Sequence, residues 1–300
     1  MNIVLTGANG LLGQHLMKDL ASKGHRVLGL GKGICRLPAD LTGNWSYETC
    51  DIAQLKEVCL SVEKFGTVAA FIHAAAETQV DACETNKEKA YETNVLGTEN
   101  CLKAVAGSLA HFIFISTDFV FDGAKGIYKE EDEMNAVNYY GQTKIQGEAL
   151  VKEKNIKNTI IRTCLVYGNT LQGTRSNIMT WVKQNLEQGK KIKVVSDQIR
   201  TPTFIGDLVA GVELSMMQEK TGVYHISGKD ILTPYDMAMH TAAYFGLDNT
   251  LIEKVDASSF TQAGQRPLRT GFDISKARQE LNYEPISFIE GLQTMYPVLI

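Results

Sequence analysis

Three observations predict an α/β protein built on a doubly wound parallel sheet with a smaller mixed α/β C-terminal part. Short β-branched runs alternate with helix-patterned stretches. A glycine cluster falls directly between the first strand pattern and the first helix pattern. The alternation loosens after about residue 165 of a 300-residue chain, which is more than one minimal domain requires. The expected division is residues 1–165 for the wound half and 166–300 for the rest, with segments free to cross between them.

In chain order, residues 2–5 read as the first strand and 11–22 as an amphipathic helix. Residues 26–30 form a second strand. A helix over 52–63 follows, opened by Asp51 with Gln54 three positions on, a capping-box spacing. Strands are expected at 69–73, 111–116 and 159–163, with helices over 87–105 and 139–154 between them. The remainder reads as a helix at 177–188, a strand at 191–195, and helices at 234–245, 275–281 and 288–295. No repeat, low-complexity tract or Gly/Ser linker interrupts the pattern.

Composition narrows the function classes. Apolar residues make up 44% and charged residues 21%, ordinary for a globular protein, and the net charge of −4 argues against a nucleic-acid footprint. The six cysteines are scattered, with no C-x-x-C and no zinc-like pairing with the six histidines, so no metal site is expected. The N-terminus lacks the pattern of a signal peptide, and the longest apolar run, 68–76, is too short to cross a bilayer. The expectation is a cytoplasmic protein without membrane association.

Gly7, Gly10 and Gly13 lie at the strand-to-helix turn, the context that a dinucleotide turn requires. One glycine permits the turn and one lets backbone approach a pyrophosphate. The third allows close helix–sheet packing, and the helix N-terminus faces the phosphate charge. This is the Rossmann-like reading of the wound half. The second strand ends Gly29-Leu30-Gly31-Lys32 without a carboxylate, and Arg36 follows. Cations there suit a ribose 2′-phosphate, favouring NADP(H), with NAD(H) left open; as solvated loop charges they decide nothing. Asp51 can meet the adenine edge or simply cap its helix. Small residues Ala74, Ala75 and Ala76 end the next strand, where a cofactor must lie flat, though packing alone also accounts for them. His73 is given no proton-transfer role.

Tyr140 and Lys144 are four apart on one expected helix and share a face. Thr117 follows the strand run FIFIS, at the end where open parallel sheets bind ligands. Reduction of a carbonyl needs a hydride at carbon and a proton at oxygen. A tyrosine ordinarily ionises near pH 10, and a nearby ammonium would favour its phenolate. Lys144 can also anchor a nicotinamide ribose, and Thr117 can bond the substrate oxygen as charge develops.

Together these segments resemble the extended short-chain dehydrogenases/reductases, in particular the dTDP-4-dehydrorhamnose reductase branch. The resemblance spans nearly the whole chain. It rests on Thr6-Gly-Ala-Asn-Gly-Leu-Leu-Gly13, Asn94-Val-Leu-Gly-Thr98, Ser116-Thr-Asp-Phe-Val-Phe-Asp-Gly123 and Tyr140-Gly-Gln-Thr-Lys144 with Gly147-Glu148. Further along come Arg162-Thr163, Val166-Tyr167-Gly168, Thr201-Pro202-Thr203 and Arg266-Pro267. It implies a catalytic group of Thr117, Tyr140 and Lys144. Around the cofactor it implies Gly7, Asn9, Gly10, Leu11, Asp51, Ala74, Ala75 and Thr163, with Tyr140 and Lys144; Lys32, Ile52 and Ala76 join the expected cofactor set beside them. Asp118, Phe119, Val120 and Arg266 would lie toward a nucleotide-sugar substrate in the C-terminal, substrate-binding part. Arg266 can fork onto a pyrophosphate or pair with a local carboxylate. Asn94 can support the helix near Tyr140 or be a backbone-bonded buried residue.

Two positions depart from the branch. Leu165 stands where a Trp is frequent, and Arg200 where a small residue is frequent; an extra cation there suggests a more anionic ligand. The implied activity is NAD(P)H-dependent reduction of a 4-keto nucleotide sugar, with Tyr140 giving the proton. The alternatives are a nucleotide-sugar epimerase or dehydratase, and a non-catalytic NADP-binding regulatory subunit. A homodimer is implied by analogy only.

Overall fold

In the computed structural model, which describes residues 1–297 apart from 170 and 175, strand β1 (Asn2–Thr6) leads into helix α1 (Leu11–Ser22) and returns as β2 (Arg26–Gly31). Next come β3 (Asn44–Thr49), α2 (Leu55–Phe65), β4 (Ala70–His73) and α3 (Val80–Thr85). A long helix follows, in which a π-helical turn over Glu92–Leu96 joins α4 (Lys87–Tyr91) to α5 (Gly97–Ala104). Then come β5 (His111–Thr117), β6 (Gly126–Tyr128), α6 (Tyr139–Glu153), β7 (Asn158–Thr163) and β8 (Val166–Tyr167). The rest comprises α7 (Ile178–Glu187), β9 (Ile192–Val195), β10 (Thr203–Phe204), α8 (Ile205–Met217), β11 (Gly222–His225) and α9 (Pro234–Phe245). It ends with β12 (Ile252–Val255), β13 (Thr270–Phe272), α10 (Ser275–Leu281) and α11 (Phe288–Met295).

Seven of these strands form one parallel sheet in the order β11-β7-β5-β4-β1-β2-β3. Both faces are covered, so the middle of each inner strand is a near-continuous apolar run and period 2 only decides which face a residue serves. Ile3, Leu5, Val27, Ile72, Ile113 and Ile161 face α1 and α8. Val4, Leu28, Phe71, Phe112, Phe114 and Ile160 face α2, α5 and α6. Each fully buried aliphatic side chain of this kind contributes about 1.5–3 kcal/mol.

Sheet order reverses between β1 and β4, and their C-terminal ends therefore open a crevice. Chain beyond residue 165 returns to the sheet as β11 and packs α8 onto it, while β6 pairs with β13. A separate cluster of α7, α9, β9 and β12 stands on its own core of Val182, Leu186, Val194, Ala238 and Ile252.

One expectation fails locally. Asp51 does not cap α2: the N-cap is Gln54, and the helix begins at Leu55. Asp51 Oδ1 instead accepts from Ala53 N, closing a tight turn before the helix, and its own N–H donates to Glu57 Oε2.

Candidate active site

The glycine turn is shaped by what packs above it. Gly7 has φ +76°, and a Cβ there would come within 2.8 Å of Ala75 N and 2.9 Å of the Ala74 carbonyl. A Cβ on Gly13 would overlap the Gly7 carbonyl. Gly10 serves a different purpose. It is exposed, is the N-cap of α1, and makes no side-chain cap, and the first turn carries no acidic residue. Leu11 then begins the 12-residue helix. The result is an open, positively polarised helix N-terminus beside small Ala74, Ala75 and Ala76, which fits a dinucleotide pyrophosphate.

Asn9 builds the adjoining wall. Its Nδ2 donates to Lys32 O, Ile34 O and Tyr47 Oη, and its Oδ1 accepts from Arg36 N. Its side chain therefore ties the loop after β2 to Tyr47 on β3, while its carbonyl accepts from Gln14 Nε2. Lys32 does not stand free for a 2′-phosphate: its Nζ lies 2.8 Å from Asp51 Oδ2. Arg36 Nη1 donates to Gly173 O. Ile52 is buried against Gly97, and its carbonyl accepts from Asn100.

Across the crevice, Asn138 caps α6 by accepting from Gly141 N. This helix places Tyr140 and Lys144 on its buried face, 8% and 3% exposed. Thr117 ends β5, donates to Asp118 Oδ1, and lies beside the Tyr140 phenol. Phe119 packs edge-on to Tyr140 at 5.9 Å. Lys144 Nζ sits 4.0 Å from the centroid of the Phe114 ring, a cation–π contact.

The electrostatics run opposite to the expectation that Lys144 lowers the Tyr140 pKa. Burial pushes the phenol above its ordinary range, and the contact with Thr117 offsets only part of this. Burial also pulls Lys144 down to about 7, with Glu148 acting against it. Desolvation disfavours whichever form is charged, so the phenol keeps its proton and the amine holds its own only weakly.

Asn94 does both things foreseen for it. In the π turn its side chain exchanges bonds with the Glu77 backbone and donates to Thr143 Oγ1 on α6. His73 is a satisfied core histidine: its ring nitrogens meet Thr6 Oγ1 and Thr98 Oγ1, and burial lowers its pKa to about 3. Thr163 ends β7 and bonds Thr203 Oγ1.

The residues expected toward the substrate divide. Phe119 is half-buried beside Tyr140. Val120 is fully buried in the apolar core, so it exposes no surface toward the crevice. Asp118 is also buried, bonded by Thr270 Oγ1 and 3.5 Å from Arg200 Nε. Arg200 is no free cation either; it donates to the carbonyls of Ile199, Pro267 and Leu268. Arg266 forks onto Asp81 beside a groove of about 440 Å³ that Gln198, Phe260, Gln262 and Leu268 help to line. Leu165 adopts φ +38° and is partly exposed. Among the described residues, no cluster of His, Cys, Asp or Glu could hold a metal, and no helix is long and apolar enough to cross a membrane.

Sheet order, glycine turn and the facing Tyr–Lys helix define the class: an NAD(P)-dependent oxidoreductase of the short-chain dehydrogenase/reductase type. The chain belongs to the family described as RmlD substrate binding domain, whose model matches residues 1–299. It is 31% identical over 286 residues to the probable low-salt glycan biosynthesis reductase Agl14 of Haloferax volcanii, covering 94% of this chain and 92% of that protein. It is 29% identical over 304 residues to methionine adenosyltransferase 2 subunit beta of Xenopus tropicalis, covering 99% and 88%. Its fold matches the crystal structure of dTDP-4-dehydrorhamnose reductase from Bacillus anthracis in complex with NADP. There the TM-score is 0.85 and the identity 27%, over 98% of both chains.

Proposed function

We propose that this chain reduces the keto group of a 4-keto nucleotide sugar of the dTDP-4-dehydrorhamnose kind, with NADP(H) as the cofactor. The observation that carries the reading is a buried Tyr140 beside the Thr117 hydroxyl at the end of β5, in a fold whose sheet order reverses between β1 and β4 and whose first helix leaves its N-terminus uncapped by any side chain. The NADP complex of the Bacillus anthracis reductase supports the cofactor.

NADPH, when bound, supplies the hydride to the carbonyl carbon. The protein's residues do the rest. The Gly7–Gly10 backbone and the N-terminus of α1 hold the pyrophosphate. Tyr140 donates its proton to the carbonyl oxygen, and Thr117 hydrogen-bonds the same oxygen as negative charge builds on it. Lys144 holds the nicotinamide ribose by donating to its hydroxyls, and as an ammonium it favours the phenolate left behind. Phe119 and the groove beside Arg266 receive the sugar nucleotide, and Arg266 exchanges Asp81 for the diphosphate. All six cysteines are unpaired, which suits a reducing compartment such as the cytoplasm.

The test is stoichiometry. A reductase oxidises one NADPH per 4-keto sugar, whereas an epimerase or dehydratase returns its cofactor each cycle. A second reading, a non-catalytic NADP-binding regulatory subunit, is favoured by the likeness to methionine adenosyltransferase 2 subunit beta. NADPH binding without oxidation of any 4-keto nucleotide sugar, together with a co-purifying partner, would select it.

A further inference from the structure

Helix α6 presents three side chains four residues apart on one buried face: Tyr140, Lys144 and Glu148. Glu148 is fully buried, yet no step of the reaction touches it. A carboxylate cannot stay ionised there without partners. The sheet supplies them: Arg162 Nε and Nη2 donate to Glu148 at 2.9 and 2.7 Å, and Ser116 Oγ donates at 2.7 Å. Burial pushes the carboxyl up, but these bonds outweigh it and hold Glu148 below its ordinary range. Both partners sit one residue before a site residue, Ser116 before Thr117 on β5 and Arg162 before Thr163 on β7. The ion pair therefore bolts α6 to the two strand ends that complete the crevice.

The surroundings of Lys144 are otherwise poor in compensating charge. From α6 it is faced by Tyr140 and Glu148, and from β4 by His73, which burial keeps neutral. From β5 comes the Phe114 ring, and the neighbouring long helix contributes the uncharged Asn94 of its π turn and Thr98 of α5. Half-exposed Lys152 reaches Glu148 at 3.6 Å from the solvent side.

We propose that Glu148, clamped by Arg162 and Ser116, is a positioning residue that keeps Lys144 an ammonium next to Tyr140. One helix face then carries the proton donor, the cation that holds the cofactor, and the counter-charge that keeps that cation ionised in a dry site. Without the carboxylate, burial would leave Lys144 a neutral amine at neutral pH, with no field to offer Tyr140. The proposal deepens the reading above, in which Lys144 works as a cation.

Its test needs no substrate. In the full-length protein, the Lys144 Cε signal, assigned by its loss in Lys144→Met, is followed by carbon-13 NMR across pH 5–11. The wild-type midpoint is expected near 7. In Glu148→Gln it should fall by about one pH unit or more. NADPH affinity of that variant at pH 7.5 should drop several-fold and recover on acidification. A midpoint that coincides with wild type in a folded Glu148→Gln protein overturns the proposal.

Because that variant leaves Arg162 unpaired, Glu148→Met/Arg162→Met serves as the second, with no buried charge left over. The same downward movement is expected in it, and an unmoved midpoint again overturns the proposal. Failure of the substrate reading looks different: the wild-type protein would oxidise no NADPH with any 4-keto sugar while the titrations behaved as stated.

Discussion

Arg266 and Asp81, 185 positions apart in sequence, face each other as a two-pronged ion pair, with Nη1–Oδ1 at 2.6 Å and Nη2–Oδ2 at 2.7 Å. The pair ties the loop before β13 to α3. The Arg266 bond holds the Asp81 carboxyl down to about 2, against an ordinary 3.8. A depressed carboxylate adds stability above its unfolded value and loses it as pH falls through the folded one. The contribution is therefore full above about pH 4 and gone near pH 2. The Asp81 side chain is 48% exposed, so solvent screens the pair. Asp81→Asn should cost no more than about 1 kcal/mol in urea unfolding at pH 6, and less in high salt.

The same fork gives a functional expectation. Arg266→Met should raise KM for the nucleotide sugar about tenfold or more and leave NADPH affinity unchanged, because a bidentate guanidinium contact to phosphate is lost. Asp81→Asn should lower KM, since the guanidinium no longer has to leave a carboxylate. Steady-state kinetics with each substrate varied separate the two effects.

Gly7→Ala should be far more harmful than Gly24→Ala. Both glycines have positive φ, +76° and +81°, but a Cβ at Gly24 meets nothing within 4 Å. The control pays only the backbone penalty, about 1 kcal/mol. At Gly7 the methyl group meets the Ala74–Ala75 backbone, so β1 and β4 must part. Thermal unfolding and NADPH titration should show a larger loss of stability and near-abolished binding in that variant alone.

Lys32 is paired with Asp51 on the rim of the crevice, both partly exposed. If Lys32 turns to a 2′-phosphate on binding, Asp51→Asn should tighten NADPH relative to NADH, and Lys32→Met should weaken it. A several-fold change in the ratio of the two dissociation constants is expected, in opposite directions. Equal effects on both cofactors would leave the pair a purely structural contact.

Leu165 stores strain in the link between β7 and β8, at φ +38°. A left-handed non-glycine residue costs about 1–2 kcal/mol. Leu165→Gly removes that cost but adds freedom to the unfolded chain, so chemical denaturation should show a change between neutral and about 1 kcal/mol stabilising.

Much of this architecture was legible because its signals are local. Helices α1, α9, α10 and α11 begin and end where apolar spacing and flanking residues put them. Two strands of the seven-stranded sheet, and the short strands of the small two-stranded pairs other than β9, had no legible signal. β3 is an edge strand of polar and aromatic residues, NWSYET, without the apolar run of its neighbours. β11 is only GVYH, and it enters the sheet because β7 offers a free edge. Helix α8 is apolar on nearly all sides, since it lies between the sheet and α10, and so lacks an amphipathic period. The π turn in the long helix leaves no mark in composition, but it turns Asn94 toward Glu77 and Thr143.

At the site, spacing and position sufficed to bring Thr117, Tyr140 and Lys144 together at the end of β5 and on the buried face of α6. Whether Asp118, Val120 or Arg200 faced a ligand or the core depended on partners from distant segments, such as Thr270 and the Pro267 carbonyl. The direction of the Tyr140 shift was misread for a related reason. Spacing shows a neighbouring lysine, but only the packed structure shows how dry both groups are.

The central claim is that a buried, protonated Tyr140 delivers the proton in a reduction that consumes NADPH. Its most direct test is single-turnover oxidation of bound NADPH on mixing with a dTDP-4-keto-6-deoxy sugar, wild type against Tyr140→Phe. The expected result is one NADPH oxidised per site in the wild type. The rate in Tyr140→Phe should be lower by about 10²–10⁴-fold, with NADPH affinity retained. An equal rate in both proteins would contradict the claim.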